Sequence, residues 1–165
     1  MNKEVKYPAS LDMTAIVVTA IITLSFVCII FAQFPSVSEG FTQGPLSVII
    51  LCSGIYIFSL CFRPLRYSVT PTEVRIVRLI ADVVVPRSEI VTAEQIEPRT
   101  IRWSIRTFGV GGLFGYFGKF SNSKIGNMTW YVTRRDTPVL IKTKGGRKIL
   151  VSPNDPGRFM SDLGF

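Results

Sequence analysis

The stretch with the most chemical possibility runs from Arg106 to Phe120, "RTFGVGGLFGYFGKF". Glycines that free the backbone, set beside cations, are what a phosphate-cradling loop requires. The spacing argues against one. Gly109, Gly111 and Gly115 carry one residue too many for G-x-G-x-x-G, and Gly118-Lys119 is followed by Phe120 rather than by Ser or Thr. A dinucleotide loop also needs a helix after it, and "SNSKIGNMTW" reads as turn and strand. Other reactive groups are sparse. There is no histidine, which removes the commonest general base and metal ligand. Cys28, Cys52 and Cys61 lie inside apolar segments without metal-ligand spacing. Glu73, Asp82, Glu89, Glu94, Glu97, Asp136, Asp155 and Asp162 form no paired-carboxylate motif. Ser121 to Lys124 matches S-x-x-K, but no companion motif accompanies it. We therefore expect no catalytic residues, no cofactor, no metal site and no enzymatic activity.

Two overlapping readings of the glycine-rich stretch remain. In the structural one, glycines permit positive φ or close strand approach while Phe108, Phe114, Phe117 and Phe120 fill the mouth of a barrel. In the functional one, residues 108–120 form a loop that offers aromatic side chains to lipid or to a membrane partner, with cations meeting phosphates. The candidate contact residues are then Arg106, Phe108, Phe114, Tyr116, Phe117, Lys119, Phe120 and Lys124.

The elements around this stretch place it at a membrane. Of 165 residues, 47% are hydrophobic, and two apolar segments account for the excess. Leu11 to Phe34 carries one charge, Asp12, and as a helix spans roughly 36 Å, enough for a hydrocarbon core of about 30 Å. Leu46 to Phe62 is uncharged and spans about 26 Å, near the lower limit. Ser10 is the expected cap of the first helix, with Asp12 complementing its dipole. Pro35 follows that helix, Pro45 suits the first turn of the second, and Pro64 closes it. The pair reads as a transmembrane helical hairpin over 11–62 (helices 11–34 and 46–62), between an N-terminal tail, 1–10, and a domain, 63–165. A signal peptide is the weaker reading, because the apolar run exceeds the roughly 7–15 residues of a signal core and a second run follows. A buried hairpin of a soluble domain is the other alternative. Lys3, Lys6, Arg63 and Arg66 flank the hairpin, and its connection has no Lys or Arg. The positive-inside rule then puts both termini in the cytoplasm of a multi-pass protein.

Residues 63–165 hold 17 of the 19 basic residues and 8 of the 11 acids, a net +9. That bias favours an anionic membrane surface. No helix-turn-helix, ribonucleoprotein strand or zinc pattern accompanies it, so a nucleic-acid partner is not expected. The periodicity here is that of strands. "RYSVT" and "TEVRIVRL" flank a turn, followed by "ADVVVP", "SEIVTAEQIEP", "RTIRWSIR" and "MTWYVTRR"; "PVLIKTK" and "RKILVS" flank a Gly-Gly turn as the clearest hairpin. Asn154 or Asp155 can cap a short terminal helix with Pro156 in its first turn and Phe159, Met160 and Leu163 on one face. About seven antiparallel strands and one capping helix result.

This order of parts resembles the bacterial PH-domain family in its membrane-tethered form. The resemblance is carried by "YSVTPTEVRI" (67–76), "VVVPRSEIVTAE" (83–94), "FGVGGLFGYFGKF" (108–120), "WYVTRR" (130–135) and "ILVSPNDPGRFMSDL" (149–163). It implies a PH-like β-barrel of two nearly orthogonal sheets capped by the C-terminal helix. A phosphoinositide site in the first hairpin is not carried over, because the turn is "TPTE", with Glu73 and no Lys or Arg. The expected function is non-enzymatic: an integral protein of the bacterial inner membrane whose cytoplasmic domain docks a membrane-protein partner. An anionic-lipid surface sensor and a small-molecule-binding barrel are the alternatives.

Overall fold

The computed structural model describes the backbone of residues 4–38 and 43–165 and the side chains of 4–32 and 46–165. The expected connection between the helices, with Glu39, and the expected basic residue Lys3 lie outside the described residues.

Within the expected N-terminal tail, residues 5–8 form a strand. β1 (Val5–Pro8) leads into helix α1 (Met13–Ser38), and α2 (Gln43–Phe62) leads out to β2 (Arg66–Val69). β1 and β2 pair antiparallel, with Tyr7 opposite Tyr67 and Pro8 opposite Arg66. The helical pair is thus inserted between two neighbouring strands. α1 is capped by Asp12, not Ser10: the Asp12 carboxylate accepts from the Ala15 N–H at 2.7 Å, as a cap side chain does at the third helical residue. Ser10 instead donates to the Asn154 side chain at 2.8 Å. α1 runs past the expected end at Phe34, and Pro45 lies in the first turn of α2, as expected. Among the described residues only Met13–Ala32 is long and apolar enough to cross a membrane; the apolar part of α2, Leu46–Phe62, is shorter.

β3 (Glu73–Val77) and β4 (Val83–Pro86) complete a sheet of order β1-β2-β3-β4. β5 (Ile90–Gln95), β6 (Ile105–Gly112), β7 (Gly115–Asn122), β8 (Gly126–Val132), β9 (Val139–Thr143) and β10 (Lys148–Val151) form a second, ordered β5-β9-β10-β8-β7-β6. The expected closed barrel of about seven antiparallel strands is corrected here. Ten strands are present among the described residues, and they form two separate sheets. Pro8 and Pro86 lie in the end strands β1 and β4, where a residue without an N–H cannot extend a ladder. β10 also lies parallel to β8, because the β9–β10 hairpin folds back between its own first strand and β8.

Two further expectations change. "RTIRWSIR" is not a strand: Pro98 stands at the first position of a one-turn helix, α3 (Pro98–Ile101), where its fixed φ suits a helix start, and β6 begins only at Ile105. Residues 108–120 are not a loop but most of a long hairpin, β6 and β7. The β9–β10 hairpin forms as expected. So does the terminal helix α4 (Pro156–Leu163), with Asp155 accepting from the Arg158 N–H at 3.0 Å and Gly164 ending it at φ +82°.

Both faces of the six-stranded sheet are covered. One packs against the first sheet, and α4 closes the gap with Phe159 and Leu163 among Tyr67, Ile76, Val85, Ile141 and Val151. Each of those two side chains contributes roughly 1.5–3 kcal/mol by leaving water. On the other face Trp130, Phe120, Leu140 and Leu150 meet Ile101 from α3 and Ala15 from α1.

Candidate functional site

The β6–β7 hairpin is wedged between the two helices. Its tip residues, Gly112 to Phe117, are all buried. From α1, the Thr19 hydroxyl accepts from the Phe114 N–H at 2.9 Å and donates to the Gly112 carbonyl at 3.4 Å. Thr23 links this to α2 through the Tyr56 hydroxyl at 3.0 Å. Phe114 then sits edge-on to Tyr56, with ring centroids 5.1 Å apart, and beneath the Arg63 guanidinium at 5.5 Å. About 9 Å of helix separates Met13 from Thr19, and the same separates Phe62 from Tyr56. At that distance along both helices the whole hairpin tip is buried.

Glycine makes the wedge possible at one cross-strand pair in particular. Gly109 faces Gly118, with φ of +115° and +126°. A Cβ on Gly118 would lie 2.3 Å from the Phe108 carbonyl oxygen, so no other residue fits.

Asp12 joins the wedge to the head of α1. Besides capping the helix, its carboxylate accepts from the Tyr116 hydroxyl at 3.1 Å and from the Arg135 N–H at 3.2 Å. The Arg135 guanidinium lies over the Tyr116 ring at 4.5 Å. Burial, reinforced by the Asp12 charge and opposed by Arg135, pushes the Tyr116 hydroxyl up to about 12.

The contact candidates divide sharply. Phe114, Tyr116, Phe117 and Phe120 are buried, Phe120 stacked on Trp130 at 4.0 Å. Arg106, Phe108, Lys119 and Lys124 are exposed. Lys124 lies in the β7–β8 turn, at the opposite end of β7 from the tip, so it is not brought together with Phe114. Phe108, 71% exposed, lies on β6, the end strand of its sheet, and Ile105 at the start of that strand is 72% exposed.

Several residues of the site were not anticipated. The Ile80 N–H donates to the Cys61 carbonyl at 3.2 Å, which sets the exposed Leu79 and Ile80 beside the end of α2. Arg78 lies over Phe62 at 5.2 Å and over Tyr131 at 5.7 Å. Burial raises the Tyr131 hydroxyl and the Arg78 charge opposes that rise. The signal that could have found part of this set is polarity inside apolar segments: Thr19, Thr23 and Tyr56 are the residues through which the helices hold the hairpin.

Two sheets, a C-terminal helix across their gap and an inserted pair of apolar helices define a PH-like domain. The bacterial PH domain family model matches residues 65–164, and the chain belongs to that family. β1, α1 and α2 lie outside the match. No curated protein and no solved structure matches the chain.

Proposed function

We propose that this is a non-enzymatic integral protein of the bacterial inner membrane whose PH domain docks a membrane-protein partner along the free edge of β6. In this reading α1 and α2 both cross the bilayer and both termini are cytoplasmic. The pairing of β1 with β2 supports it: those strands lie on one side of the membrane, so a chain that leaves through α1 must return through α2. The basic flanks Lys6, Arg63 and Arg66 favour the cytoplasm for that side.

The observation that carries the docking reading is the edge of β6. It ends its sheet, presents Ile105 and Phe108 outward, and follows Trp103, which is 81% exposed. An open strand edge beside apolar side chains is a template for pairing with another chain. A photoreactive residue at Ile105, in native membranes, should give one discrete protein adduct. The same probe at Val91, on the end strand of the opposite edge, should not. Adducts at neither position, or equally at both, would refute the docking edge.

A further inference from the structure

We propose that a trough between α2 and the β6–β8 face holds one anionic phospholipid, its phosphate on Arg78 and Lys119 and an acyl chain laid along α2. The trough has a polar end and an apolar end. The polar end, a cavity of about 280 Å³ beside the C-terminal end of α2, is walled by Phe62 and Tyr131 and holds Arg78 and Lys119, with no carboxylate in its lining. The apolar end, about 500 Å³, runs past Phe58, Ile55, Gly54 and Ile50. The two adjoin, sharing Phe58, Phe108 and Gly109 as lining. From Phe62 to Ile50 the trough follows roughly 18 Å of helix, a little over half of a hydrocarbon core about 30 Å thick. That is the depth of one leaflet, with the cations at the end nearest the domain.

The polar end is built for an anion. Arg78 is held in place by its Nε–H, at 2.8 Å, and its Nη2–H both donating to the Ala81 carbonyl and by the rings beneath it, which leaves Nη1 to meet an anion. Lys119 donates to Thr129 at 2.8 Å and keeps its remaining ammonium hydrogens. Among the described residues neither cation makes an ion pair. The apolar end has one side-chain hydroxyl, Ser59, and it is turned back to the Ile55 carbonyl at 2.8 Å. Gly54 opens the trough there, with no atom within 4 Å of where its Cβ would stand. Paired cations at one end and a lipid-facing apolar groove at the other are complementary to a phosphate headgroup with its chain.

The proposal rests on α1 and α2 lying in a bilayer and is independent of a protein partner at β6. The test titrates the full chain in non-ionic detergent with phosphatidylglycerol, phosphatidylcholine or glycerol 3-phosphate and follows thermal stabilisation. Phosphatidylglycerol should stabilise and the other two should not. An Arg78→Gln, Lys119→Gln variant should bind phosphatidylglycerol about 30-fold more weakly, from the loss of two interfacial cations. Gly54→Leu, which fills the open trough, should melt like the parent without lipid and lose the lipid response. Equal stabilisation by phosphatidylcholine, a response to glycerol 3-phosphate alone, or an unchanged response in both variants would overturn the site, whatever the crosslinking at Ile105 gives.

Discussion

Replacing Gly118 by alanine tests the wedge at its tightest point. The new Cβ would stand 2.3 Å from the Phe108 carbonyl oxygen and 2.7 Å from the Gly109 Cα. Both obstacles are backbone of the paired strand, so neither moves without opening the β6–β7 ladder. The φ of +126° adds its own penalty, on the order of 1–3 kcal/mol for a side chain held in a sparsely populated region. A ladder hydrogen bond lost to relieve the clash costs about 1 kcal/mol more. A total of about 3 kcal/mol, at roughly 2–4 °C per kcal/mol for a chain of this size, lowers the melting temperature by about 6–12 °C. Gly145→Ala is the matched control: it lies in the β9–β10 turn, and its Cβ would meet nothing within 4 Å. Its melting should stay within the change equivalent to about 0.5 kcal/mol typical of surface sites. The assay is thermal unfolding of the full chain in detergent, followed by near-UV circular dichroism. If Gly118→Ala melts with Gly145→Ala, the hairpin does not need the close approach described here, and the account of the wedge fails.

Three other outcomes follow from the same geometry. Asp12→Ala removes the acceptor for Ala15, Tyr116 and Arg135 and should cost about 2–3 kcal/mol in urea unfolding, with Asp12→Asn recovering part of it. Phe114→Ser should lower stability by about 3 kcal/mol rather than selectively weaken a surface contact, because the ring is buried against Tyr56; a variant with unaltered melting would contradict that packing. At alkaline pH the Tyr116 hydroxyl, raised to about 12 from about 10, favours the folded state fully below about pH 10, and that contribution is lost as pH rises through about 12. Tyr116→Phe should therefore flatten the melting-temperature decline in that window, leaving the share due to Tyr7, Tyr67 and Tyr131, whose hydroxyls are also raised. An unchanged slope would count against the buried Tyr116–Asp12 contact.

The parts of the fold governed by local chemistry were legible in the chain. Gly145-Gly146 between β-branched runs specified the β9–β10 turn, and Asp155-Pro156 specified the start of α4, because each uses a backbone preference that needs no distant partner. Long-range pairing was not legible in this way. Nothing within residues 5–8 reveals that they will pair with 66–69, since the match is made only after two helices have intervened. The glycine-rich stretch misled for a related reason. Glycine density looks like a loop when read locally, yet Gly109 and Gly118 are there because two strands approach too closely for any side chain. Burial, which no local pattern shows, divides the contact candidates: Phe114 and Phe117 are buried, while Phe108, on the same hairpin, is exposed.

These placements have a mechanical consequence. β1 and β2 clamp the helical pair at its base, Asp12 ties the first turn of α1 to β7 and to Arg135, and the hairpin tip engages Thr19 and Tyr56 further along both helices. Contacts at both levels oppose rotation of the domain about the helix ends, which a pair of flexible connections would allow. β6, with its open edge and the Arg78–Lys119 trough, is therefore held at a fixed height and angle beside α2. A ligand that binds there meets a preorganised surface and does not have to order the domain first, so less of its interaction free energy is lost on binding. Gly118→Ala should loosen that surface as well as the fold. Gly118 itself lines the polar end of the trough beside Lys119, so weaker phosphatidylglycerol binding by this variant, measured below its melting transition, would show that the close β6–β7 approach also shapes the lipid site.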